Sequence, residues 1–325
     1  MQVIRIREPG PPDVLEPASV PRPEPASGTV RVRVAASGVN RADLVQRLGR
    51  YPAPDGYPQD IPGMEFSGVV DRVGDGVSEA WTGRSVMGIT GGGGYAEYVI
   101  AFPDELLLVP ASMDLVTAAA IPEAFMTAYD AVLLQARLNR DELLLVHAVG
   151  SGVGTAALQL GLRLGAEVVG TSRTSEKLEA ATELGLKTGI EGGDDWADAM
   201  LDATGGRQAD VVLDLVGGAY LEGNQRVLGH GGRHIVVGIP GGARASVNLG
   251  TLMRRRATLR GTVLRSRPLS EKIELARAFE EDVLPGFSDG ALTPVVDRAF
   301  EARDAPAAHH YMEENRNFGK ILLSW

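Results

Sequence analysis

The chain has 325 residues, 44% of them hydrophobic, which is enough to form two domains that each bury a core. Its formal net charge of −10 opposes binding to nucleic acid or to an anionic membrane, and the absence of cysteine excludes disulfides, thiolate nucleophiles and cysteine-ligated zinc. No apolar run reaches the length of about eighteen residues that a membrane helix needs, and charges interrupt the N-terminal stretch. We therefore expect a cytoplasmic protein without a membrane span or a signal peptide.

The first part of the chain, up to about Pro122, predicts a strand-rich domain. Short β-like runs alternate there with proline and glycine: "VIRI", "TVRVRVAASGV", "FSGVVDRVG", "YAEYVIA" and "ELLLVP". Because proline and glycine favour turns, these runs indicate irregular and mostly antiparallel strands.

From Leu143 onward, strands alternate with helices. The apolar runs are "LLLVHAV", "AEVVGTS", "ADVVLDLVG" and "GGRHIVVGI", and helical segments begin near Gly154, Ser175 and Ala219. Strands that are separated by helices of about ten or more residues pair in parallel through right-handed crossovers. The sequence therefore predicts an α/β fold with a doubly wound parallel sheet.

After Pro294 the chain returns to strand-like text, with "VVDRAF" and "GKILLSW" on either side of a polar helix. We expect this tail to rejoin the first domain. The predicted organisation is therefore a β-rich domain of residues 1–121 that is completed by 294–325, and a Rossmann domain of residues 122–293.

The glycine-rich stretch after the first strand of the parallel sheet predicts a dinucleotide-binding turn. Gly152, Gly154 and Ala157 form G-x-G-x-x-A where a strand ends and a helix begins. Gly152 allows a close backbone approach, so that the amides at the helix N-terminus bind a pyrophosphate. A purely structural turn is the alternative in a chain with 41 glycines, but the strand–turn–helix context favours nucleotide binding.

The end of the second strand distinguishes the two nicotinamide dinucleotides. NAD-binding proteins usually have an acidic residue there, which accepts hydrogen bonds from the ribose hydroxyls. Here residues 168–175 contain no acid, whereas Ser172, Arg173 and Lys177 offer a hydroxyl and two cations for a 2′-phosphate. The sequence therefore predicts NADPH as the cofactor. The alternative is that these side chains belong to a solvated loop and helix start.

Several motifs, taken together in their order and spacing, identify a family. They are "GVNRADLVQRLGRYPAP", "IPGMEFSGVV", "GGGGYAEYV", "AAAIPEAFMTAYD", the glycine-rich turn, "GGRHIVVGIPGG", "LMRRRATLRGTVLRSRP" and "NFGKILL". With these motifs the chain resembles the quinone oxidoreductase, or zeta-crystallin-like, branch of the medium-chain dehydrogenase/reductases. Within that branch it looks most like the quinone reductase group induced by the tumour suppressor in animals. The resemblance covers nearly the whole chain and implies a GroES-like catalytic domain, a Rossmann domain and a cleft between them for NADPH and substrate.

Zinc-dependent relatives of this branch carry a cysteine and a histidine at positions that this chain fills with Asn40 and Met64, whereas Glu65 is retained. Neither side chain replaces an anionic or imidazole ligand of a catalytic zinc, and the five histidines show no ligand spacing, so we expect no metal. Without a Lewis acid to polarise an alcohol, reduction of an already electrophilic acceptor is favoured. Quinones and conjugated carbonyls are such acceptors.

Three residues are candidates for catalysis: Tyr51, Asn40 and Asp43. The resemblance implies that Tyr51 lines the nicotinamide and substrate site, and related enoyl-thioester reductases place a tyrosine there as a proton donor. A phenol is protonated at neutral pH and donates to the atom that gains charge after hydride transfer. Asn40 and Asp43 share the "VNRAD" turn, where capping a helix is the alternative to lining the site. For Tyr51 the alternative is a surface tyrosine in a proline-rich loop.

The residues named above and those that the resemblance adds make up the predicted cofactor contacts. They are Asn40, Tyr51, Thr127, Ser151, Gly152, Val153, Gly154, Ser172, Arg173, Lys177, Gly217, Gly238, Ile239, Thr262, Val263, Leu264, Arg265 and Asn317. The chain departs from the family at Gly192, where a tyrosine usually packs beside the 2′-phosphate. The NADP site is then either looser than usual or rebuilt by Arg173.

The sequence thus predicts an NADPH-dependent, zinc-independent quinone reductase that transfers a hydride to a quinone or enone. An alkenal or enoyl-thioester reductase, or an NADPH-binding structural protein of the crystallin type, are the alternatives; the residues choose neither the physiological substrate nor between one- and two-electron reduction. The basic cluster Arg254–Arg256 is interpreted as a solvated helix end rather than a nucleic-acid site. We expect a homodimer, because the apolar last strand near "TLRGTVL" favours pairing with a second copy, and relatives form dimers through this strand.

Overall fold

Fifteen strands and eleven α-helices are distributed along the chain, and the computed structural model describes residues 1–325. The strands are β1 (Gln2–Ile6), β2 (Leu15–Ser19), β3 (Val30–Val39), β4 (Glu65–Val73), β5 (Ser85–Ile89), β6 (Tyr98–Ala101), β7 (Leu107–Leu108), β8 (Leu143–Val146), β9 (Glu167–Ser172), β10 (Thr188–Glu191), β11 (Ala209–Asp214), β12 (Leu228–Val236), β13 (Thr258–Gly261), β14 (Val296–Glu301) and β15 (Lys320–Ser324). The helices are α1 (Arg41–Arg47), α2 (Leu115–Ala118), α3 (Pro122–Tyr129), α4 (Gly152–Leu164), α5 (Ser175–Thr182), α6 (Trp196–Ala203), α7 (Leu221–Val227), α8 (Leu249–Arg255), α9 (Leu269–Asp282), α10 (Pro285–Ser288) and α11 (Ala305–Glu313). None of these helices combines the length and the apolar composition that crossing a membrane requires.

The chain divides into two units with different kinds of sheet. The first unit consists of Met1–Met126 and Leu264–Trp325, and the second consists of Thr127–Val263. The boundaries predicted from the sequence lie after residues 121 and 293. The main difference is that residues 264–293 belong with the first unit.

Residues 264–293 join the first unit through both polar and aromatic contacts. The Arg277 guanidinium, on α9, donates a hydrogen bond to the carbonyl oxygen of Leu106 (2.6 Å). The ring of Phe287 meets the ring of Phe125 edge-on, with centroids 4.8 Å apart. Such packing is decided by tertiary structure, and the strand-and-helix pattern of the sequence carries no trace of it.

A seven-stranded sheet forms the centre of the first unit, in the order β14-β15-β3-β4-β5-β7, with β6 also paired to β3. All pairs are antiparallel except β14 with β15. In β3 the alternating residues Val30, Val32 and Val34 are buried and pack with Phe66 of β4. Strand β15 pairs with β3 so that Ile321 lies opposite Val39, which brings the end of the chain beside residue 40.

The second unit contains a six-stranded sheet in the order β10-β9-β8-β11-β12-β13, and every neighbouring pair is parallel. The predicted α/β class with a doubly wound parallel sheet and a separate strand-rich domain is therefore confirmed. Strand β8 is fully buried, as expected for a strand that helices cover on both faces. Because β9 and β11 flank β8, the strand order reverses there, and open α/β sheets bind ligands at the carboxyl end of such a point.

Candidate active site

The turn between β8 and α4, in the second unit, has the geometry of a phosphate-binding turn. Ser151 caps α4, since its Oγ accepts a hydrogen bond from the backbone N–H of Gly154 (3.0 Å). A Cβ at Gly154 would lie only 2.4 Å from the carbonyl oxygen of Ala148, so this position requires glycine. Gly152 and Val153 are the first two residues of the helix. The free amides of this helix end, at the carboxyl end of β8, fit the pyrophosphate of a dinucleotide.

Gly217, Gly238 and Ile239, all predicted to contact the cofactor, lie together at the carboxyl ends of β11 and β12. Gly217 has a φ of +88°, and a Cβ there would lie 2.8 Å from the Cα of Ile239. Asp214 fixes this turn, because its Oδ1 accepts hydrogen bonds from the N–H groups of Val216 and Gly217 (2.8 Å each). The glycines thus allow a close approach of backbone segments beside the nucleotide turn.

The end of β9 carries the residues predicted to select NADPH. Arg173 is exposed, and Lys177 is partly buried in the first turn of α5. Ser172 is buried, and its Oγ accepts a hydrogen bond from the N–H of Thr174 (3.4 Å). Both cations thus lie just after the end of β9, and the serine hydroxyl is engaged with the backbone.

Three further predicted cofactor contacts lie in the second unit. Thr127 is buried, and its hydroxyl has no hydrogen-bond partner. Thr262 donates a hydrogen bond to Oδ2 of Asp130 (2.7 Å), and Val263 is 51% exposed. Buried hydroxyls are almost always paired, so the Thr127 hydroxyl fits a contact with a bound cofactor.

A buried polar network that no sequence motif predicts lies close to the glycine-rich turn between β8 and α4. Asn224 donates to Oδ2 of Asp214 (3.1 Å), so its amide oxygen accepts from Nε2 of His147 (2.6 Å). Nδ1 of His147 then accepts from the Thr171 hydroxyl (2.9 Å), and burial lowers the pKa of His147 to about 4. His234 also donates to Asp214 Oδ2 (2.9 Å). The network connects β9, β11 and β12 with the residue that follows β8.

In the first unit, Asp43 is enclosed by protein and holds the turn that begins α1. Its Oδ2 accepts hydrogen bonds from the N–H of Asn40 (2.8 Å) and from the hydroxyl of Tyr95 (3.2 Å), while its Oδ1 accepts from the N–H of Gly63 (3.1 Å). Burial raises the pKa of Asp43 to about 6. The carboxyl group therefore positions Asn40 and has no surface of its own to offer a ligand.

Asn40 and Glu65 surround a buried cation, Lys320. The Lys320 ammonium donates to Oε1 of Glu65 (2.5 Å), to Oδ1 of Asn40 (2.6 Å) and to the carbonyl oxygen of Val39 (3.2 Å). The Asn40 amide also donates to Oε1 of Glu65 (2.8 Å). A Cβ at Gly38 would lie 2.1 Å from the same Oε1, so glycine is required beside the carboxylate.

A zinc ion does not fit this donor set. Asn40 and Met64 supply neither an anion nor an imidazole, and the only carboxylate of the group, Glu65, is already paired with the Lys320 ammonium. The structure contains no cluster of three or more histidine, aspartate or glutamate side chains that could hold a metal ion.

Glu123, at the start of α3, is a second carboxyl group close to Glu65. Its backbone N–H donates to Oε2 of Glu65 (2.8 Å), whereas its own Oε2 is buried and has no hydrogen-bond partner. Burial, reinforced by the negative charge of Glu65, raises the pKa of Glu123 to about 8. Glu123 is therefore protonated at neutral pH.

Tyr51 lies half-buried in a loop that Arg265 holds in place. The Arg265 guanidinium lies 5.0 Å from the centre of the Tyr51 ring and donates to the carbonyl oxygens of Tyr51 (3.3 Å) and Gly91 (2.7 Å) and to Oε1 of Gln46 (2.5 Å). Burial raises the pKa of Tyr51, and its hydroxyl makes no hydrogen bond within the protein. The phenol is thus protonated and available as a donor.

The remaining predicted cofactor contacts of the first unit are buried within the protein; they are Leu264, Arg265 and Asn317. Arg265 is only 3% exposed, and its donors are used by the loop that it holds. Leu264 is buried, and Asn317 donates to the carbonyl oxygen of Gly319 (2.8 Å) in the turn before β15. The resemblance implies that Arg265 contacts the cofactor, and the structure shows its guanidinium bound to the loop of Tyr51.

Sequence reasoning also missed a chain of hydrogen bonds that ends on Asp43. Arg47 donates to Nδ1 of His309 (3.1 Å), so Nε2 of His309 carries the proton and donates to the Tyr95 oxygen (3.1 Å). The Tyr95 hydroxyl then donates to Asp43 (3.2 Å). Burial, assisted by the charge of Arg47, lowers the pKa of His309 to about 3. The residues joined by these hydrogen bonds are far apart in the sequence, and no sequence motif predicts their contact.

Comparison with known proteins places both units among oxidoreductases. The model of the zinc-binding dehydrogenase family matches residues 152–281, and that of the alcohol dehydrogenase GroES-like domain matches residues 26–111. The quinone oxidoreductase of Sus scrofa is 31% identical, over 99% of this chain and 97% of the pig protein.

Two solved structures illustrate the range of similar enzymes. The Escherichia coli quinone oxidoreductase complexed with NADPH has a TM-score of 0.90 and 27% identity, over 100% of both chains. The apo form of the JamJ enoyl reductase has a TM-score of 0.89 and 26% identity, over 99% of this chain and 98% of the other.

Removal of the buried cation tests the Lys320–Glu65 pair. We expect Lys320→Met to lower the free energy of unfolding by about 3–5 kcal/mol, because Glu65 is left as an unpaired buried charge. Adding Glu65→Gln should recover much of this loss, since no charge then remains. Urea denaturation of the wild type, both single variants and the double variant measures the coupling. Losses that simply add would contradict the pairing.

The raised pKa of Glu123 predicts how stability depends on pH. Between the ordinary value of 4.5 and about 8, the folded protein keeps a proton that the unfolded chain releases, so this group makes the protein less stable as the pH rises. Glu123→Gln removes the effect, and we expect its melting temperature to fall less than that of the wild type over this range. The exposed Glu281→Gln is the control and should follow the wild type. Parallel curves for the wild type and Glu123→Gln would be evidence against a protonated Glu123.

Proposed function

Because the chain belongs to the medium-chain dehydrogenase/reductase superfamily, in its zeta-crystallin-like quinone oxidoreductase branch, we propose that it is an NADPH-dependent reductase of quinones and conjugated enones. Membership of this superfamily makes it an oxidoreductase. The observation that carries the proposal is the Lys320 ammonium on Glu65, which leaves no metal-binding group beside Asn40. A substrate that is already electrophilic needs no metal to polarise it.

The second unit supplies the cofactor site in this proposal. A reduced nicotinamide, when bound, supplies a hydride to the acceptor. The amides at the start of α4 bind the pyrophosphate, and the glycines at residues 217 and 238 let the backbone approach the nucleotide closely. The absence of an acid in residues 168–175 and the presence of Arg173 and Lys177 support NADPH over NADH.

Tyr51 is the proposed proton donor of the first unit. Its hydroxyl is free and remains protonated at neutral pH, since burial raises its pKa. A hydrogen bond from this phenol stabilises negative charge as it develops on an enone oxygen, and the proton completes the reduction. Arg265 keeps the loop of Tyr51 in place, so the tyrosine loses little conformational freedom when its phenol donates to the acceptor.

Asn40, Asp43 and Glu123 act as positioning groups in this scheme. Both ends of the Asn40 amide are engaged, with Lys320 and Glu65, and Asp43 holds the Asn40 backbone. Glu123 is neutral at physiological pH, so it adds no second negative charge beside Glu65. A protonated carboxyl group repels the negative charge that develops on an acceptor less strongly than a carboxylate does.

Known relatives support both quinones and enoyl groups as acceptors. The pig and E. coli proteins are quinone oxidoreductases, and the E. coli structure contains NADPH. The JamJ enoyl reductase favours a second candidate, an enoyl-thioester reductase, at nearly the same structural similarity. A tyrosine proton donor suits this second reaction in particular, because the carbon or oxygen of a reduced enoyl group must be protonated.

The reaction is tested by adding small quinones, enones and enoyl thioesters to the protein with NADPH and following the loss of nicotinamide absorbance. We expect Tyr51→Phe to lower enone turnover by about 100-fold. Quinone turnover should change only a few-fold, because hydroquinone anions take protons from water after hydride transfer. Tyr98→Phe, a tyrosine of β6, is the matched control.

Three outcomes of this assay are decisive. Equal and small effects of Tyr51→Phe on enone and quinone turnover would show that Tyr51 is not the proton donor. Turnover confined to enoyl thioesters would favour the second candidate. Binding of NADPH without consumption for any acceptor would contradict the reductase and favour a structural, crystallin-like role.

We also propose that the protein forms a two-fold dimer through β13. This strand is the edge of the parallel sheet, and all its residues are exposed, with Leu259 at 38%. Met253 of the preceding helix α8 is 76% exposed. An unpaired strand edge that exposes an apolar side chain such as Leu259 favours pairing with a second copy. Sedimentation should show a wild-type dimer and a Leu259→Lys monomer, and a monomeric wild type at micromolar concentration would refute the proposal.

A further inference from the structure

The phenol of Tyr220 lies beside Gly192, close to the end of β9. Tyr220 ends the 3₁₀ turn that follows β11, whereas Gly192 directly follows β10. A Cβ at Gly192 would lie 2.7 Å from the Tyr220 hydroxyl oxygen and 3.3 Å from the carbonyl oxygen of Ser172. The N–H of Gly192 donates to that carbonyl (2.6 Å). The hydroxyl therefore occupies the space that a side chain at residue 192 would need.

Aromatic packing holds the Tyr220 ring in this place. The ring stacks on Trp196, with centroids 5.1 Å apart and planes 23° apart, and meets His147 edge-on at 4.9 Å. A Cβ at Gly223 would lie 2.5 Å from a ring carbon of Trp196, so glycine makes room for the stack. A ring packed on two sides has little rotational freedom, and its hydroxyl is preorganised.

The Tyr220 hydroxyl is free to bind a ligand. It makes no hydrogen bond within the protein, and the residue is only partly buried. The exposed Arg173 directly follows Ser172, the last residue of β9, whose carbonyl oxygen accepts the hydrogen bond from Gly192. Burial raises the pKa of Tyr220, and the positive charge of Arg173 opposes that rise. A neutral O–H donor combined with a guanidinium is suited to binding a phosphate monoester.

We propose that Tyr220, together with Arg173, binds the 2′-phosphate of the adenosine ribose and so sets the preference for NADPH over NADH. The inference rests on the proposed function, which takes NADPH as its cofactor. Gly192 is then a compensated departure from the family: the phenol is supplied by the turn after β11, and glycine at residue 192 leaves space for it. The buried Ser172 hydroxyl, already bonded to Thr174, is not required.

The inference is tested by binding, measured calorimetrically with adenosine 2′-, 3′- and 5′-monophosphate and with NADPH and NADH. We expect the wild type to prefer the 2′-monophosphate and NADPH. Tyr220→Phe keeps the stacked ring and removes the hydroxyl. It should weaken the binding of NADPH and of the 2′-monophosphate by about tenfold, while the affinities for NADH and the 5′-monophosphate stay unchanged. Tyr98→Phe, in the first unit, is the control and should change none of these affinities.

A second variant tests the same point without removing the hydroxyl. In Gly192→Ala the new methyl group would displace the phenol oxygen, so a similar selective loss is expected, with melting temperatures confirming that both variants are folded. Unchanged NADPH-to-NADH ratios in both folded variants would overturn the role of Tyr220 while leaving the reductase proposal intact. A wild type that prefers the 3′-monophosphate would also overturn it. A wild type that binds neither dinucleotide would instead contradict the proposed function.

Discussion

A cation that is buried in a protein must be paired, and this constraint organises the first unit around Lys320. Its ammonium is in contact with the Glu65 carboxylate, the Asn40 side chain and the Val39 carbonyl. Three strands are thereby fixed to one another: β15 carries the lysine, β4 carries the glutamate, and β3 ends at the carbonyl. An internal side chain therefore organises this part of the first unit, and the Glu65 carboxylate is already engaged by the ammonium.

The same requirement for satisfied buried charge extends outward from this centre. Glu123 lies next to Glu65 and becomes neutral instead of forming a second ion pair. The Asp43 carboxylate accepts hydrogen bonds from backbone amides and from the Tyr95 hydroxyl. That hydroxyl is the last donor of a hydrogen-bond chain that begins at Arg47. These hydrogen bonds all donate in one direction, from Arg47 towards Asp43, because an arginine can only donate. The hydrogen-bond chain therefore fixes the protonation of each member and, through Asp43, the backbone at Asn40.

The second unit solves a similar problem with neutral groups. His147 is buried without charge, and its two nitrogens are assigned by Thr171 and Asn224, which in turn is held by Asp214. This network joins the strands on whose carboxyl ends the nucleotide turn is built. The edge of His147 also packs against Tyr220, so the polar network and the aromatic stack support one another. Rigid support of this kind lets a few exposed groups define a binding site without large entropic cost.

Much of the fold follows from local sequence patterns. Alternating apolar residues and proline-rich turns predicted the antiparallel sheet, and strand–helix spacing predicted the parallel one, because both periodicities are properties of short segments. The glycine spacing between residues 152 and 157 likewise placed a turn whose steric demands are local. What only the tertiary structure decided is which distant groups meet. Lys320 and Glu65 are 255 positions apart, and Tyr220 reaches Gly192 from the turn that follows β11. The pairing of a buried charge and the filling of a space beside a glycine depend on how segments pack, and no short stretch of sequence contains that information.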